Sequence, residues 1–421
     1  MWQRTKNIYH LNQAIIANLL YGFPSRGMTI IGVTGTDGKT TTANLIYHIL
    51  RESGAKAAVI STVGAEIDGV KFDLAFHVTT PGRFAVQSYI KKAKKAGVKY
   101  IVLEVTSHAL DQHRISGIHI DIGVITNVTR EHLDYHKTWE NYVHAKAKLL
   151  KAAKVAILNK DDRSYLRIKK YELRSKDKKI ITYGLKKDSD VNPHAFHFET
   201  KLLGQFNKYN CLAAIAVTQL LHISDAAIRK GLLSFVPPVG RQEIVYKKDF
   251  MVINDFAHTP NAFSVVLPET KRLTTNKLIH VFGSAAKRDK FKRPEMGKIS
   301  GQSSDIIVLT SEDPRDELIE SINRDILTGI KGFEVITDMS TIAVKSVILK
   351  GKKYVFIIPD RREAIRFAVS LAQKGDVVLL TGKGHEKSIN YGRGEEPWDE
   401  TTTARQAIEM REEISSSTTP G

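Results

Sequence analysis

The stretch GVTGTDGKTTT at residues 32–42 constrains this 421-residue chain more than any other. It runs from an apolar, strand-like segment at 28–33 through a glycine-rich turn into a helical pattern at 40–53. Glycines at such a junction let backbone N–H groups approach phosphate oxygens, and the helix N-terminus adds a favourable dipole. Gly35, Thr36, Asp37 and Gly38 make the turn. Lys39 is placed to reach the outer phosphates of a nucleotide, and the hydroxyl of Thr40 or Thr41 to meet a magnesium ion. The strict phosphate-loop spacing would put glycine where Val33 stands, so this loop is a variant. A turn that merely packed a helix on a strand would need neither the lysine nor the three threonines after it.

Apolar β-rich runs alternate with helical patterns along the rest of the chain, which implies α/β units on largely parallel sheets. Strands are expected at 28–33, 57–61, 100–104, 122–127 and 154–159, with helices at 40–53, 84–96 and 139–153. A second α/β series begins near Pro237, with strands at 251–255, 278–283, 305–311, 354–359 and 376–381. Paired prolines and a glycine make 235–241 a linker between the two series. This length suits two or three domains. The tail SSSTTPG, 415–421, is expected to be disordered.

Cys211 is the only cysteine, which excludes a disulfide framework and a cysteine-based zinc site and fits a reducing cytoplasm. The apolar run near the start is too short to span a bilayer and is followed by no small-residue cleavage site, so it reads as a short helix on the body of the protein. Lys and Arg number 63 against 45 Asp and Glu, a formal net charge of +18. The basic residues are scattered among polar and acidic ones, with no RNA-recognition aromatic pattern or helix-turn-helix signature. They read as solvated faces and a preference for anionic small substrates, with no nucleic acid expected.

From residue 28 onward a series of motifs follows in order. TTP stands at 79–81, EVTSHALDQHR at 104–114, TNVTREHLDYH at 126–136 and YVHAKAK at 142–148. GQFNKYN at 204–210, Gly240-Arg241, DFAHTP at 255–260, RDK at 288–290 and KGHE at 383–386 complete it. With the phosphate loop, this series resembles the Mur ligases and their folylpolyglutamate synthase relatives, and the threonine after Lys39 favours the Mur branch. It is most similar to the MurE type, which adds the third amino acid to UDP-N-acetylmuramoyl-dipeptide. The resemblance implies a short N-terminal helical segment at 1–27, a central ATP-binding P-loop-type domain at 28–236 and a C-terminal Rossmann-like amino-acid-binding domain at 237–421. It also implies a cytoplasmic ligase of peptidoglycan precursor synthesis that uses ATP and Mg²⁺ to form an amide bond through an acyl phosphate.

Residue by residue, the resemblance makes Glu104, His132 and Thr40 magnesium ligands, with Lys39 on the phosphates. It makes Lys146 a lysine that carries a carbamate from CO₂, which converts an ammonium into a carboxylate-like oxygen ligand and needs a neutral amine. Lys148 is the competing candidate. Asn127, Asn207, Asn210, Arg241, Asp255 and His258 match nucleotide-site positions, and Lys290 and Arg293 match positions that assist. Thr79, Thr80, Thr106, Ser107, Gln112 and Arg114 match positions that hold the muramoyl peptide. For the incoming amino acid the family uses an Asn-Pro-Arg loop and a Gly…Glu pair; here Asp313 replaces the asparagine, while Pro314, Arg315, Gly382 and Glu386 are kept. An arginine there could take the distal carboxylate of meso-diaminopimelate as a fork, with Glu386 on the ammonium.

Ligases of this type carry a further N-terminal domain that grips the uridine diphosphate, and 27 residues before Met28 are too few for one. Three expectations follow: uridine is held by other surfaces, a partner supplies the grip, or the acceptor is a different one, such as a lipid-linked muropeptide or a polyglutamyl chain. A catalytically decayed nucleotide-binding module is the reading from another class, and retention of Lys39, Glu104, His132, Lys146 and Asp255 speaks against it.

Overall fold

A computed structural model describes residues 2–72, 80–172, 178–286, 289–337 and 352–417. The chain divides into two compact units, Met1–Pro238 and Val239–Gly421. Both are α/β, as the alternating sequence pattern requires.

The first unit holds β1 (Thr29–Thr34), β2 (Ala57–Ser61), β3 (Gly64–Ile67), β4 (Val70–Phe72), β5 (Tyr100–Glu104), β6 (Ile122–Ile125), β7 (Val155–Asn159) and β8 (Lys179–Tyr183). They form one sheet in the order β4-β3-β2-β5-β1-β6-β7-β8. The strands from β2 to β8 are parallel, and β3 and β4 fold back antiparallel at one edge. Central strands such as TIIGVT and YIVLE are near-continuous apolar runs because helices cover both faces. Helices Lys39–Glu52, Gln205–Leu220 and Asp225–Ser234 pack on one face, and Arg83–Lys95 supplies Val86, Ile90 and Ala93 to the other.

Helix Trp139–Ala152 approaches the sheet at two glycines. A Cβ on Gly32 would lie 2.6 Å from Leu149 Cδ1, and one on Gly123 would lie 3.0 Å from the Ala153 Cβ. Small residues in β1 and β6 therefore let this helix sit close to the sheet, and Lys146 reaches the Gly35 carbonyl just past β1. The N-terminal segment is longer than the short helix expected: it runs Trp2–Tyr21. Buried Asn18 ties it down, donating to the Ser116 carbonyl at 2.8 Å and accepting from Gln87 Nε2 at 3.0 Å.

The second unit holds β9 (Glu243–Lys247), β10 (Met251–Asp255), β11 (Leu278–Phe282), β12 (Ile306–Leu309), β13 (Glu334–Ile336), β14 (Tyr354–Ile357) and β15 (Val377–Thr381). Their order is β13-β14-β12-β11-β15-β10-β9, parallel except for β9 at the edge. A hairpin of β16 (Ser388–Asn390) and β17 (Glu395–Pro397) stands apart. The five strands expected from the sequence are the central ones. The edge strands and hairpin lack a continuous apolar run, because an edge is half solvated. The tail also differs from expectation: helix Glu400–Ser417 continues through the serines at 415–417, carried by upstream packing of Ala404, Ala407 and Ile408 in the core. Residues 418–421 lie outside the described ones. Among the described residues no helix is long and apolar enough to cross a membrane.

One glycine tests this packing. Gly297 lies inside helix Lys292–Ser303, and a Cβ there would sit 2.1 Å from the Ile326 carbonyl oxygen of the neighbouring helix Ile319–Leu327. Alanine gains about 1 kcal/mol of helix propensity over glycine, but backbone cannot move aside cheaply, and overpacking costs about 1–3 kcal/mol. Gly297→Ala is therefore expected to lower the denaturant midpoint of unfolding; an unchanged or raised midpoint would show that the two helices can part.

Candidate active site

The sheet register assembles the first cluster. β1 pairs with β5 so that Val33 lies opposite Glu104, and with β6 so that Thr34 lies opposite Ile125. Parallel strands all end on one edge, and the glycine turn leaves β1 there. Gly38 has φ 78°, and a Cβ on it would meet Asn210 Oδ1 at 2.3 Å, so this position demands glycine twice over. Asp37 is braced on both sides: its N–H donates to Asn127 Oδ1 at 3.0 Å, and its carbonyl accepts from Thr126 Oγ1 at 2.6 Å and Asn127 Nδ2 at 3.1 Å. The Thr36 hydroxyl accepts from the Thr129 N–H at 3.0 Å and meets the Tyr142 hydroxyl at 3.3 Å. Lys39 donates to the Thr36 carbonyl at 2.7 Å, so its ammonium stays over the turn. Thr41 is buried in the first turn of the following helix.

Buried Glu104 accepts from the Thr40 hydroxyl at 2.9 Å and from Thr62, by hydroxyl and N–H, at 2.8 Å each. A hydroxyl and a carboxylate side by side, next to a phosphate-binding turn, form an all-oxygen donor set of the kind Mg²⁺ shares with phosphate and water. The residues thus fit that ion. Among the described residues no three His, Cys, Asp or Glu side chains gather as a metal cage. His132 stands in the left-handed region at φ 54°, its ring edge-on to His108 at 4.8 Å and 6.1 Å from the Tyr142 ring.

Lys146 and Lys148 separate cleanly. Lys146 is 1% exposed, its Nζ donates to the Gly35 carbonyl at 2.5 Å, and it lies 4.4 Å from the Tyr142 ring centre. Burial, and then the nearby Lys39 charge, hold its pKa well below the usual lysine value. Lys148 is instead paired with Asp111 at 2.7 Å, and Asp111 also accepts from Tyr135.

Of the residues matched to the muramoyl peptide, Thr79 lies outside the described ones. The others surround the end of β5. Thr80 Oγ1 donates to the Glu104 carbonyl and accepts from the Thr106 N–H, both at 3.1 Å. Arg114 donates to the Thr80 carbonyl at 2.7 Å and, through Nε and a terminal nitrogen, to Gln112 Oε1 at 3.1 and 2.8 Å. The Ser107 hydroxyl lies 3.0 Å from His136 Nε2, whose pKa burial lowers to about 4.

Asn207 and Asn210, matched to nucleotide-site positions, bond to one another and to the chain around them. Asn207 donates to the Leu203 carbonyl at 2.7 Å, Asn210 donates to Asn207 Oδ1 at 2.8 Å, and the Thr42 hydroxyl donates to Asn210 Oδ1 at 3.2 Å. They brace helix Lys39–Glu52 and fill the space beneath Gly38.

In the second unit, Asp255 accepts from the N–H groups of Gln242 and Ala257 at 2.8 and 2.7 Å, and His258 Nδ1 lies 2.8 Å from the Phe256 carbonyl. Arg241 lies over the Phe256 ring at 4.5 Å. Arg293 and Lys290, expected to assist, are engaged internally: Arg293 is fully buried on Glu317 and Asp325, and Lys290 pairs with Glu317 at 2.8 Å. That pairing, led by Arg293, holds the Glu317 pKa down at about 2.

The loops after β12 and β15 carry the positions expected for the amino acid. Asp313 accepts from Lys383 Nζ at 3.1 Å and the Asn390 N–H at 3.0 Å; Glu386 pairs with the same lysine at 2.6 Å. Arg315 is in the left-handed region at φ 51°, and its buried Nε has no hydrogen-bond partner among the described residues. A pair that the sequence did not single out holds both loops. Arg361 and Glu400 are each 0% exposed and bonded to one another, and Arg361 also donates to the Ser311 carbonyl at 2.9 Å and the Thr381 carbonyl at 2.7 Å. Lys383 stands in the KGHE motif, but no local pattern marks its link to Asp313, seventy positions away.

A phosphate-binding turn with an oxygen-donor pair, on one α/β unit followed by another, defines a nucleotide-dependent enzyme. Residues 33–218 match the Mur ligase middle domain, and residues 240–384 the Mur ligase glutamate ligase domain. The UDP-N-acetylmuramoyl-L-alanyl-D-glutamate–2,6-diaminopimelate ligase of Geobacillus thermodenitrificans is 36% identical, over 94% of this chain and 82% of its own. The Borreliella afzelii UDP-N-acetylmuramyl-tripeptide synthetase is also 36% identical, over 93% and 79%. A solved 2,6-diaminopimelate ligase structure superposes with a TM-score of 0.61 at 32% identity, covering 92% of this chain and 79% of that one. E. coli FolC in complex with ADP shares the fold, with a TM-score of 0.69 at 19% identity over 96% and 94%. The chain belongs to the Mur ligases, ATP-dependent enzymes that form amide bonds.

The internal bonding of Asn210 yields a test. If it braces the turn, Asn210→Ala weakens ATP and GTP alike, by roughly 10-fold for about 1.4 kcal/mol of lost support. If it reads adenine, the ratio of the two nucleotides collapses instead. KM values for both nucleotides in an amide-synthesis assay decide between them.

Proposed function

We propose that this enzyme joins a third amino acid, meso-diaminopimelate, to UDP-N-acetylmuramoyl-L-alanyl-D-glutamate in peptidoglycan precursor synthesis. The observation that carries the choice of amino acid is the state of Arg315. Its Nε is buried with no partner among the described residues, and the nearby Asp313 in the chain is held by Lys383. A guanidinium with an unmet buried donor calls for a carboxylate, which the side chain of diaminopimelate has and that of lysine lacks.

In the first unit, Lys39 and the N–H groups of the turn take the triphosphate, and Thr40 with Glu104 holds Mg²⁺, which neutralises phosphate charge when bound. The acceptor carboxylate attacks the γ-phosphorus, ADP leaves, and the amine of the incoming amino acid then displaces phosphate from the acyl phosphate to give the amide. Thr80, Thr106, Gln112 and Arg114, already tied around the end of β5, orient the muramoyl peptide. Lys146 takes up CO₂ as a carbamate. Its burial keeps the amine available in neutral form, and the product carries oxygens where an ammonium would repel a cation. His132 serves as a further ligand.

Three measurements test this. Lys39→Ala is expected to cost on the order of 10²-fold or more in rate with the fold retained. Lys146→Ala should be nearly inactive and unresponsive to bicarbonate, while Lys146→Glu recovers part of the rate; full activity of Lys146→Ala would remove the carbamate. For the wild type, kcat/KM for meso-diaminopimelate should exceed that for L-lysine by about 10- to 100-fold, the equivalent of one charge-assisted bond left unmade. Equal values would show that Arg315 does not read the substrate.

A further inference from the structure

We propose that the outer face of helix Trp2–Tyr21, with the lysines at the end of helix Arg83–Lys95, docks the protein on an anionic lipid surface. The inference lies outside the ligase reaction and stands whichever amino acid that reaction adds.

The first helix is turned apolar side out. Small Ala14 and Ala17 and polar Asn18 are buried against the body, while Leu11, Ile15, Ile16, Leu19 and Leu20 are exposed, the last two by 62% and 68%. Spacings of three, four and five place these five along one side of the helix. A helix on a water-facing surface ordinarily shows the reverse, with its apolar stripe toward the core. The stripe cannot be hidden by rolling the helix over. Asn18 donates to the Ser116 carbonyl at 2.8 Å and accepts from Gln87 at 3.0 Å, and both bonds would be lost. The backbone beneath is shaped for this one side chain, since a Cβ on Gly117 would lie 2.4 Å from Asn18 Nδ2.

Charge is the second observation. Neither 2–27 nor 83–99 contains an Asp or Glu, in a chain that has 45 of them. The two helices lie side by side and run in the same direction: Arg83 donates to Gln13, Gln87 to Asn18, and Lys91 stands 5.6 Å over the Tyr21 ring. Their C-terminal ends therefore meet, and cations collect there. Lys91, Lys92, Lys94 and Lys95 are exposed, as is Arg26 in the turn after the first helix. None of these five makes an ion pair among the described residues. Leucine and isoleucine on one side of a helix, rimmed by lysine, form a face that lies in a lipid headgroup layer. Lysines at such a surface draw anionic lipids. A protein partner suits this face less, because protein interfaces are anchored by Trp, Tyr and Arg and are depleted in Lys. A second copy suits it least: a two-fold pair would set the same cations against one another.

The test sediments the full chain with vesicles of phosphatidylcholine alone and of equal parts phosphatidylcholine and phosphatidylglycerol. The protein is expected to bind the anionic vesicles and not the neutral ones. Binding should weaken as salt rises from about 0.1 M to about 1 M, where the screening length falls from about 10 Å to about 3 Å. The double variant Leu19→Gln/Leu20→Gln, which removes apolar area from exposed positions, is expected to lose at least about 10-fold in affinity. Lys94→Glu/Lys95→Glu should lose a similar factor at low salt. A chain of net charge +18 could adhere to anionic vesicles anywhere on its surface, so Lys186→Glu/Lys187→Glu, the same charge change at exposed positions elsewhere, serves as the control and should bind like the wild type. Amide synthesis without vesicles should keep the wild-type rate in all three variants, which reports an intact fold. Absence of binding, equal binding to both kinds of vesicle, or an equal loss in the control would overturn the proposal. So would a wild-type dimer that Leu19→Gln/Leu20→Gln dissolves in light scattering, or polyglutamate binding to this face where vesicles do not; either gives the face to a protein partner.

Discussion

A lysine amine buried on a glycine carbonyl sets the geometry of the first unit. Lys146 can reach the Gly35 carbonyl only because helix Trp139–Ala152 lies close against the sheet, and it lies close only because β1 and β6 carry glycine at 32 and 123. Desolvation pushes such an amine toward its neutral form, and the Lys39 ammonium, held over the same turn, pushes in the same direction. The turn is thus polarised from two sides: a fixed cation above it and an amine beneath it whose charge is suppressed. Lys148, two residues on, is only half-buried and is paired with Asp111 instead.

Stiffness in the phosphate turn comes from side chains more than from the turn's own backbone. Asn127 holds Asp37 at both its N–H and its carbonyl, Thr126 adds a third bond, and the Thr36 hydroxyl is shared between Thr129 and Tyr142. All but the Tyr142 contact come from the segment after β6, so the turn is positioned largely by the strand beside it. A turn fixed before the nucleotide arrives loses less entropy on binding, which is the value of such bracing. Asn207 and Asn210 extend it to the helix that follows.

The sequence made the central strands, the phosphate turn and the order of the motifs legible, because each is written locally: apolar runs for strands buried on both faces, glycines and a lysine for the turn. It could not show what the asparagines do, since an Asn that caps, braces or reads a base looks the same in one dimension. It misjudged the tail, where packing upstream carries a helix into serines that have little propensity for one. Glu386 stands in a recognisable motif, but whether an acid is free depends on a lysine's choice of partner, and Lys383 meets Asp313 across seventy residues of chain.

The second unit shows why that choice matters energetically. Arg361 and Glu400 are both fully buried, and such a pair adds little net stability, because desolvating two charges costs about as much as their attraction returns. Its value lies in direction. The guanidinium has donors left after meeting Glu400, and it places them on the carbonyls of Ser311 and Thr381, the residues from which the two loops depart. Trp398 donates to Glu400 at 2.8 Å and keeps the acid from turning away. An apolar pair of the same size would fill the core equally well but would leave two buried carbonyls unpaired and the loops free to shift. The buried pair is therefore best understood as the fixture that holds the two loops in place.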